Sequence, residues 1–186
     1  MSEELLVHHC APTLAGLKSG NLFSCICQSL YEAHKVVAIW NNTLNQKGVK
    51  ATILNCANNR VLIYVYRPAK LLQELSHSAT KKFLRKCGYI DLNLDNMLKV
   101  LASRIKGSDQ FPHEIGLFLG YPLEDVRGFI DNKGRNSHMT GYWKVYSNPA
   151  TAAKTFKRFN KCITIYTQKI QDGTSLDRLT VKGAYA

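Results

Sequence analysis

The sequence predicts an α+β fold: a single domain of five or six helices on a small antiparallel sheet. Three observations carry that expectation. Two β-rich runs, Ala51-Thr-Ile-Leu-Asn-Cys56 and Val61-Leu-Ile-Tyr-Val-Tyr66, are joined only by Ala57-Asn-Asn-Arg60. Asparagine tolerates left-handed backbone, so residues 51–66 read as an antiparallel hairpin with a four-residue loop. Segments on both sides repeat apolar residues at three- and four-residue spacing, the signature of helices with one buried face. Finally, 186 residues with 45% hydrophobic and 20% charged side chains suffice for one core that needs no disulfide or metal.

Along the chain, MSEELLVHHC is acidic and lacks a long apolar segment, so it does not read as a secretory signal. No apolar run approaches the roughly 20 residues of a membrane span. The expected location is the cytoplasm. APTLAGLKSGNLFSCI reads as loop plus a short buried strand or turn near Leu22 to Cys25. Gln28 to Gln46 is an amphipathic helix with Leu30, His34, Val37, Trp40 (or Ile39) and Leu44 on one face, stopped by Gly48. Pro68 opens a helix that runs to Cys87 and Gly88. Asp91 or Asn93 caps a third, LDNMLKVLASRIKG, closed by Gly107. Phe111 to Leu119 and Leu123 to Lys133 are short helices around a Gly-Tyr-Pro turn. Tyr142 to Ser147 is a strand by its aromatic and branched content, and it is expected to join the hairpin. Asn148-Pro149 opens the last helix, whose stripe is Ala152, Phe156, Phe159, Ile163, Tyr166 and Ile170. Residues 1–172 thus form the domain, and 173–186 read as a mobile tail.

Charge gives the first functional hint. Twenty-five Lys and Arg against 13 Asp and Glu leave +12 at neutral pH. Between Asn132 and Gln171 lie Lys133, Arg135, Lys144, Lys154, Lys157, Arg158, Lys161 and Lys169, with no acidic residue. Lys81, Lys82, Arg85 and Lys86 make a second block. Such surfaces attract polyanions in a salt-dependent way, although a high pI alone also serves only to prevent self-association. The six cysteines contain no CxxC pair and read as reduced core thiols. Cys25 and Cys27 share one face of an extended strand, which is a weak signal for redox or soft-metal chemistry.

Four local patterns bear on chemistry. FPHEIGLFLGYPLEDVRGFI followed by GYWKVY has the outline of a helix-turn-helix with a wing, but Glu124 and Asp125 would repel DNA phosphate, and a structural helical hairpin accounts for it better. Alternation along the strands places Tyr64, Tyr66, Tyr142, Lys144 and Tyr146 on one outer face. Such tyrosines either stack single-stranded bases or pack beneath a helix. Gly16-Leu-Lys18-Ser-Gly20 misses the phosphate-loop spacing, yet Lys18 with the backbone of Gly20 and Asn21 is suited to an anion. His9, Cys10, His113 and Glu114 supply acid–base or nucleophilic groups if folding brings them together. His113-Glu114 is not HExxH, because position 117 is Leu, and no metal site is expected.

Three of these stretches carry a resemblance. HCAPTLAGLK with the following NLFS, FPHEIGLFLGYPLEDVRGFI, and TGYWKVY with a downstream Phe and Lys161-Cys162 resemble the blocks of a bacterial family, domain of unknown function 3793, over about residues 5 to 170. The resemblance implies a cytosolic bacterial protein and brings no activity, cofactor or catalytic residue with it. The block residues His9, Cys10, Lys18, Asn21, His113, Glu114, Tyr121, Asp125, Trp143 and Lys144 are candidate positions.

Two functional classes follow. The first is a binding protein for a phosphate-bearing ligand, nucleic acid or nucleotide, using Lys18, Asn21, Tyr142, Lys144, Tyr146, Lys154, Lys157, Arg158 and Lys161. The second is a small enzyme or a redox or metal accessory protein built on His9, Cys10, His113 and Glu114; no particular cofactor is indicated. A cleft where Lys18, His113 and His9 converge would favour the second, and an open basic face over the sheet would favour the first.

Overall fold

The computed structural model describes residues 1–107 and 111–183. Its element order is α1 (Glu3–Leu14), β1 (Gly20–Ile26), α2 (Leu30–Leu44), a 3-10 turn (Asn45–Lys47), β2 (Lys50–Ala57), β3 (Arg60–Tyr66), α3 (Pro68–Leu75), α4 (Ser78–Lys86), α5 (Leu94–Gly107), α6 (Ile115–Phe118), α7 (Leu123–Asp131), β4 (Met139–Thr140), β5 (Lys144–Val145), α8 (Pro149–Gln171) and α9 (Leu176–Leu179). The α+β class is as expected.

The hairpin forms where the pattern places it, with a tighter turn. Ala57 still pairs with Arg60, leaving Asn58 and Asn59 as a two-residue connection with φ of 51° and 57°. Two successive left-handed residues make the primed turn whose twist suits a hairpin. The third strand is a correction. β1 pairs antiparallel with β3, giving the order β1-β3-β2, while the 142–147 stretch contributes only β5 to a separate two-stranded ribbon with β4.

Both faces of the three-stranded sheet are covered by helices. Phe23, Cys25, Val61, Ile63 and Val65 pack with α1, α2 and α9 in one core. Tyr64 and Tyr66 turn to the other core, with Leu71, Leu84, Met97, Leu101 and Phe118 from α3, α4, α5 and α6. A bulge between Ile53 and Asn55 sends Leu54 into this second core. Tyr64 and Tyr66 stack at 4.8 Å, and the Tyr64 hydroxyl donates to the Phe118 carbonyl. The expected outer tyrosine face of the sheet is therefore an interior.

Among the described residues the helices outnumber the five or six expected. α1 extends through His8, His9 and Pro12, capped by Ser2, whose hydroxyl accepts from Leu5 N–H. Pro68 to Cys87 divides into α3 and α4 at Ser76-His77. Only Ile115–Phe118 of the 111–119 stretch is α-helical. Beyond Gly173 the chain is not a free tail: Leu176 and Leu179 of α9 are buried against the first core, and Val181 N–H donates to the Leu14 carbonyl. Residues 184–186 of the expected tail lie outside the described residues.

Candidate functional site

A hydrogen-bonded anchor fixes the third family block onto the second. Asp125, in the first turn of α7, is 2% exposed. Its Oδ2 accepts from the Trp143 indole N–H at 2.7 Å, and its Oδ1 accepts from the Tyr146 and Ser147 backbone N–H groups, both at 2.8 Å. A carboxylate accepting three donors is well solvated by protein despite its burial. Tyr146 then lies so close to Gly128 that a side chain at position 128 would overlap its ring. The mid-helix glycine is thus a packing requirement.

Between this ribbon and α6–α7 opens a cleft of about 160 Å³, lined by aromatic rings and aliphatic carbon. Tyr121 and Trp143 stack at 4.9 Å along one wall, and the Tyr121 hydroxyl donates to the Tyr142 carbonyl. His113 meets the Phe129 ring edge-on at 4.8 Å. Lys144 Nζ donates to the Gly134 carbonyl at 2.6 Å and lies 5.9 Å from the Phe129 centroid. Ile115, Gly116 and Val126 complete the lining. His113, Tyr121, Asp125, Trp143 and Lys144, scattered over thirty-odd positions of the sequence, thus border one space. Phe129 was missed as a sequence candidate; its three-residue spacing from Val126 is the signal that puts both on one face of α7.

On the far side of the ribbon, Trp143 meets Phe156 edge-on at 4.5 Å, and Tyr142 packs against Phe156 and Phe159. The Tyr142 hydroxyl donates to Asn160 Oδ1 at 2.7 Å. Ala152, Phe156, Phe159 and Cys162 are the buried stripe of α8. Lys154, Lys157, Arg158 and Lys161 are exposed on its outer side, and no carboxylate bonds to any of them among the described residues. The Tyr146 hydroxyl is buried without a hydrogen-bond partner among the described residues, and its ring packs against Gly128 of α7.

The remaining candidates are dispersed. Lys18 is 5% exposed, with its ammonium 5.0 Å from the Tyr121 centroid; burial lowers its pKa to about 8, with Cys10 acting in the opposite sense. Cys10 is fully buried, and burial pushes its thiol well up, against the influence of Lys18. His9 is on the outside, stacked on Phe23 at 5.0 Å; burial first and His8 second lower its pKa. Asn21 Oδ1 accepts from the Thr13 hydroxyl at 2.7 Å within the fold. Glu114 is buried and paired, 2.8 Å from Arg104 Nε and accepting from the Tyr89 hydroxyl. On α1, Cys10 belongs to the first core and His9 is exposed, whereas His113 stands at the cleft and Glu114 is held by Arg104. No group of three His, Cys, Asp or Glu side chains suited to a metal occurs among the described residues.

Arg67, which no sequence pattern marked, is a buried clamp. It donates to the carbonyls of Thr13, Leu14 and Val181, each at 2.7 Å, and so ties α1 to the C-terminal segment. No helix among the described residues is long and apolar enough to cross a membrane.

The model of a family described as "Protein of unknown function (DUF3793)" matches residues 6–180. No curated protein and no solved structure matches the chain.

Proposed function

For a chain that belongs to the DUF3793 family, we propose that the protein binds a phosphate-bearing ligand, nucleic acid or nucleotide, on the outer face of α8. The observation that supports this reading most directly is the run of exposed Lys154, Lys157, Arg158 and Lys161 on one helix side, within a sequence stretch that has no acid from Asn132 to Gln171. Three- and four-residue spacing aligns these cations along the helix. With no carboxylate bonded to them among the described residues, their charge is available to phosphate. Such contacts gain affinity by releasing counterions from the nucleic acid and carry no base information.

The tyrosines enter this reading differently from the sequence expectation. Tyr146 is turned inward, and Tyr142 is half-buried with its hydroxyl on Asn160. Neither ring is free to stack a base, so single and double strands are expected to bind comparably. Lys144 faces the cleft beside Phe129, and Lys18 and Asn21 are interior, so the binding surface is reduced to the α8 cations. Fluorescence anisotropy with labelled RNA and DNA at low salt tests the proposal. Lys157→Glu with Arg158→Glu is expected to abolish measurable binding without shifting the melting temperature. Binding that survives this double charge reversal would count against it.

A further inference from the structure

The aromatic cleft has the features of a small-molecule site separate from the α8 surface. Its volume, about 160 Å³, is close to the roughly 150 Å³ that accommodates a benzene ring in a protein interior. The walls are ring faces and edges from His113, Tyr121, Phe129 and Trp143, of which His113 is exposed and the others half-buried. An added flat ring would therefore find both apolar area and quadrupole partners there.

Charge selects among ring-sized ligands. Asp125 borders the cleft, but both of its oxygens are already engaged by three protein donors. Lys144 Nζ has a single protein acceptor, the Gly134 carbonyl, and no carboxylate partner among the described residues. An ammonium carries three donor hydrogens, so two remain to be satisfied. One ammonium with free donors, against one fully engaged carboxylate, favours an anion over a cation or a neutral ring.

We propose that this cleft binds a single-ring aromatic acid, with the ring on the Tyr121–Trp143 wall and the acidic group on the Lys144 ammonium. Benzoate and benzyl alcohol, which share the ring and differ in charge, are the test ligands. The readout is the Trp143 indole N–H resonance, assigned by its loss in Trp143→Phe, with the buried Trp40 indole as internal control. Benzoate is expected to shift the Trp143 signal saturably while Trp40 stays fixed. In Lys144→Gln the benzoate affinity should fall roughly tenfold, the equivalent of about 1.4 kcal/mol, with benzyl alcohol unaffected and Lys144→Arg retaining benzoate. Melting curves of each variant confirm that the fold is intact. No saturable shift, equal movement of both indoles, or equal weakening of benzoate and benzyl alcohol in Lys144→Gln would overturn the proposal.

Discussion

Replacing Asp125 tests whether the ribbon is held to α7 by one buried carboxylate. Asp125→Ala leaves the Trp143 indole N–H and the Tyr146 and Ser147 backbone N–H groups without their acceptor. Each buried donor stranded in this way costs about 1–3 kcal/mol. The sum is reduced because the buried carboxylate's own desolvation penalty disappears with it, and because the ribbon relaxes toward water. The expected loss is about 3–5 kcal/mol, which for a chain of this size lowers the melting temperature by roughly 10 °C. Asp125→Asn is the control. Its remaining oxygen still accepts from the two backbone groups, but its amide turns N–H toward the indole, so it should lose about 1–2 kcal/mol. Chemical denaturation followed by circular dichroism gives both values. If Asp125→Ala costs no more than Asp125→Asn, the backbone bonds contribute little and the anchoring argument fails.

Two further outcomes follow from buried groups. Burial lowers the Lys18 pKa from 10.5 to about 8, so the folded state holds this proton less tightly than the unfolded chain. This group's penalty is full below about 8 and is relieved as the pH rises toward 10.5. Lys18→Met should therefore be more stable than wild type near neutrality, with the gap closing as the pH is raised through that window; a pH-independent gap in thermal melts would contradict this. Among the thiols, Cys27 and Cys56 lie with sulfurs 3.9 Å apart, while Cys10 is enclosed. Mild oxidation should join Cys27 to Cys56 first, and alkylation should reach Cys10 only on unfolding; peptide mapping that finds a Cys25 disulfide first would refute the pairing.

What the sequence made legible was local chemistry. Asn58-Asn59 specified the hairpin turn because few other residues accept two left-handed conformations in succession. Asn148-Pro149 specified the start of α8, where the Asn148 side chain accepts from Thr151 N–H at 3.0 Å. What escaped was set by distant partners. β1 lies in a Gly- and Ser-rich stretch that reads only as a short strand or turn, and its pairing with β3, in the place expected for the 142–147 segment, depends on long-range contacts that no local pattern encodes. α1 was obscured by paired histidines and an internal proline. α9 is four residues long, too short for periodicity, and its burial follows from the core it meets. The candidate residues show the same division. Their types were legible, but the gathering of His113, Tyr121, Asp125, Trp143 and Lys144 at one cleft needed the fold, as did the separation of His9 and Cys10 from it.

The salt dependence of nucleic-acid affinity tests the proposed α8 surface most directly. Four phosphate contacts to a single strand give a slope of log Kobs against log salt of roughly −3, from about −0.7 per contact. Wild-type protein should show that slope with RNA and DNA of different sequence alike. Lys157→Gln with Arg158→Gln should reduce it to roughly half, because two of the four contacts are removed. A slope near zero, or one unchanged in the double variant, would contradict the assignment of phosphate binding to the face of Lys154, Lys157, Arg158 and Lys161.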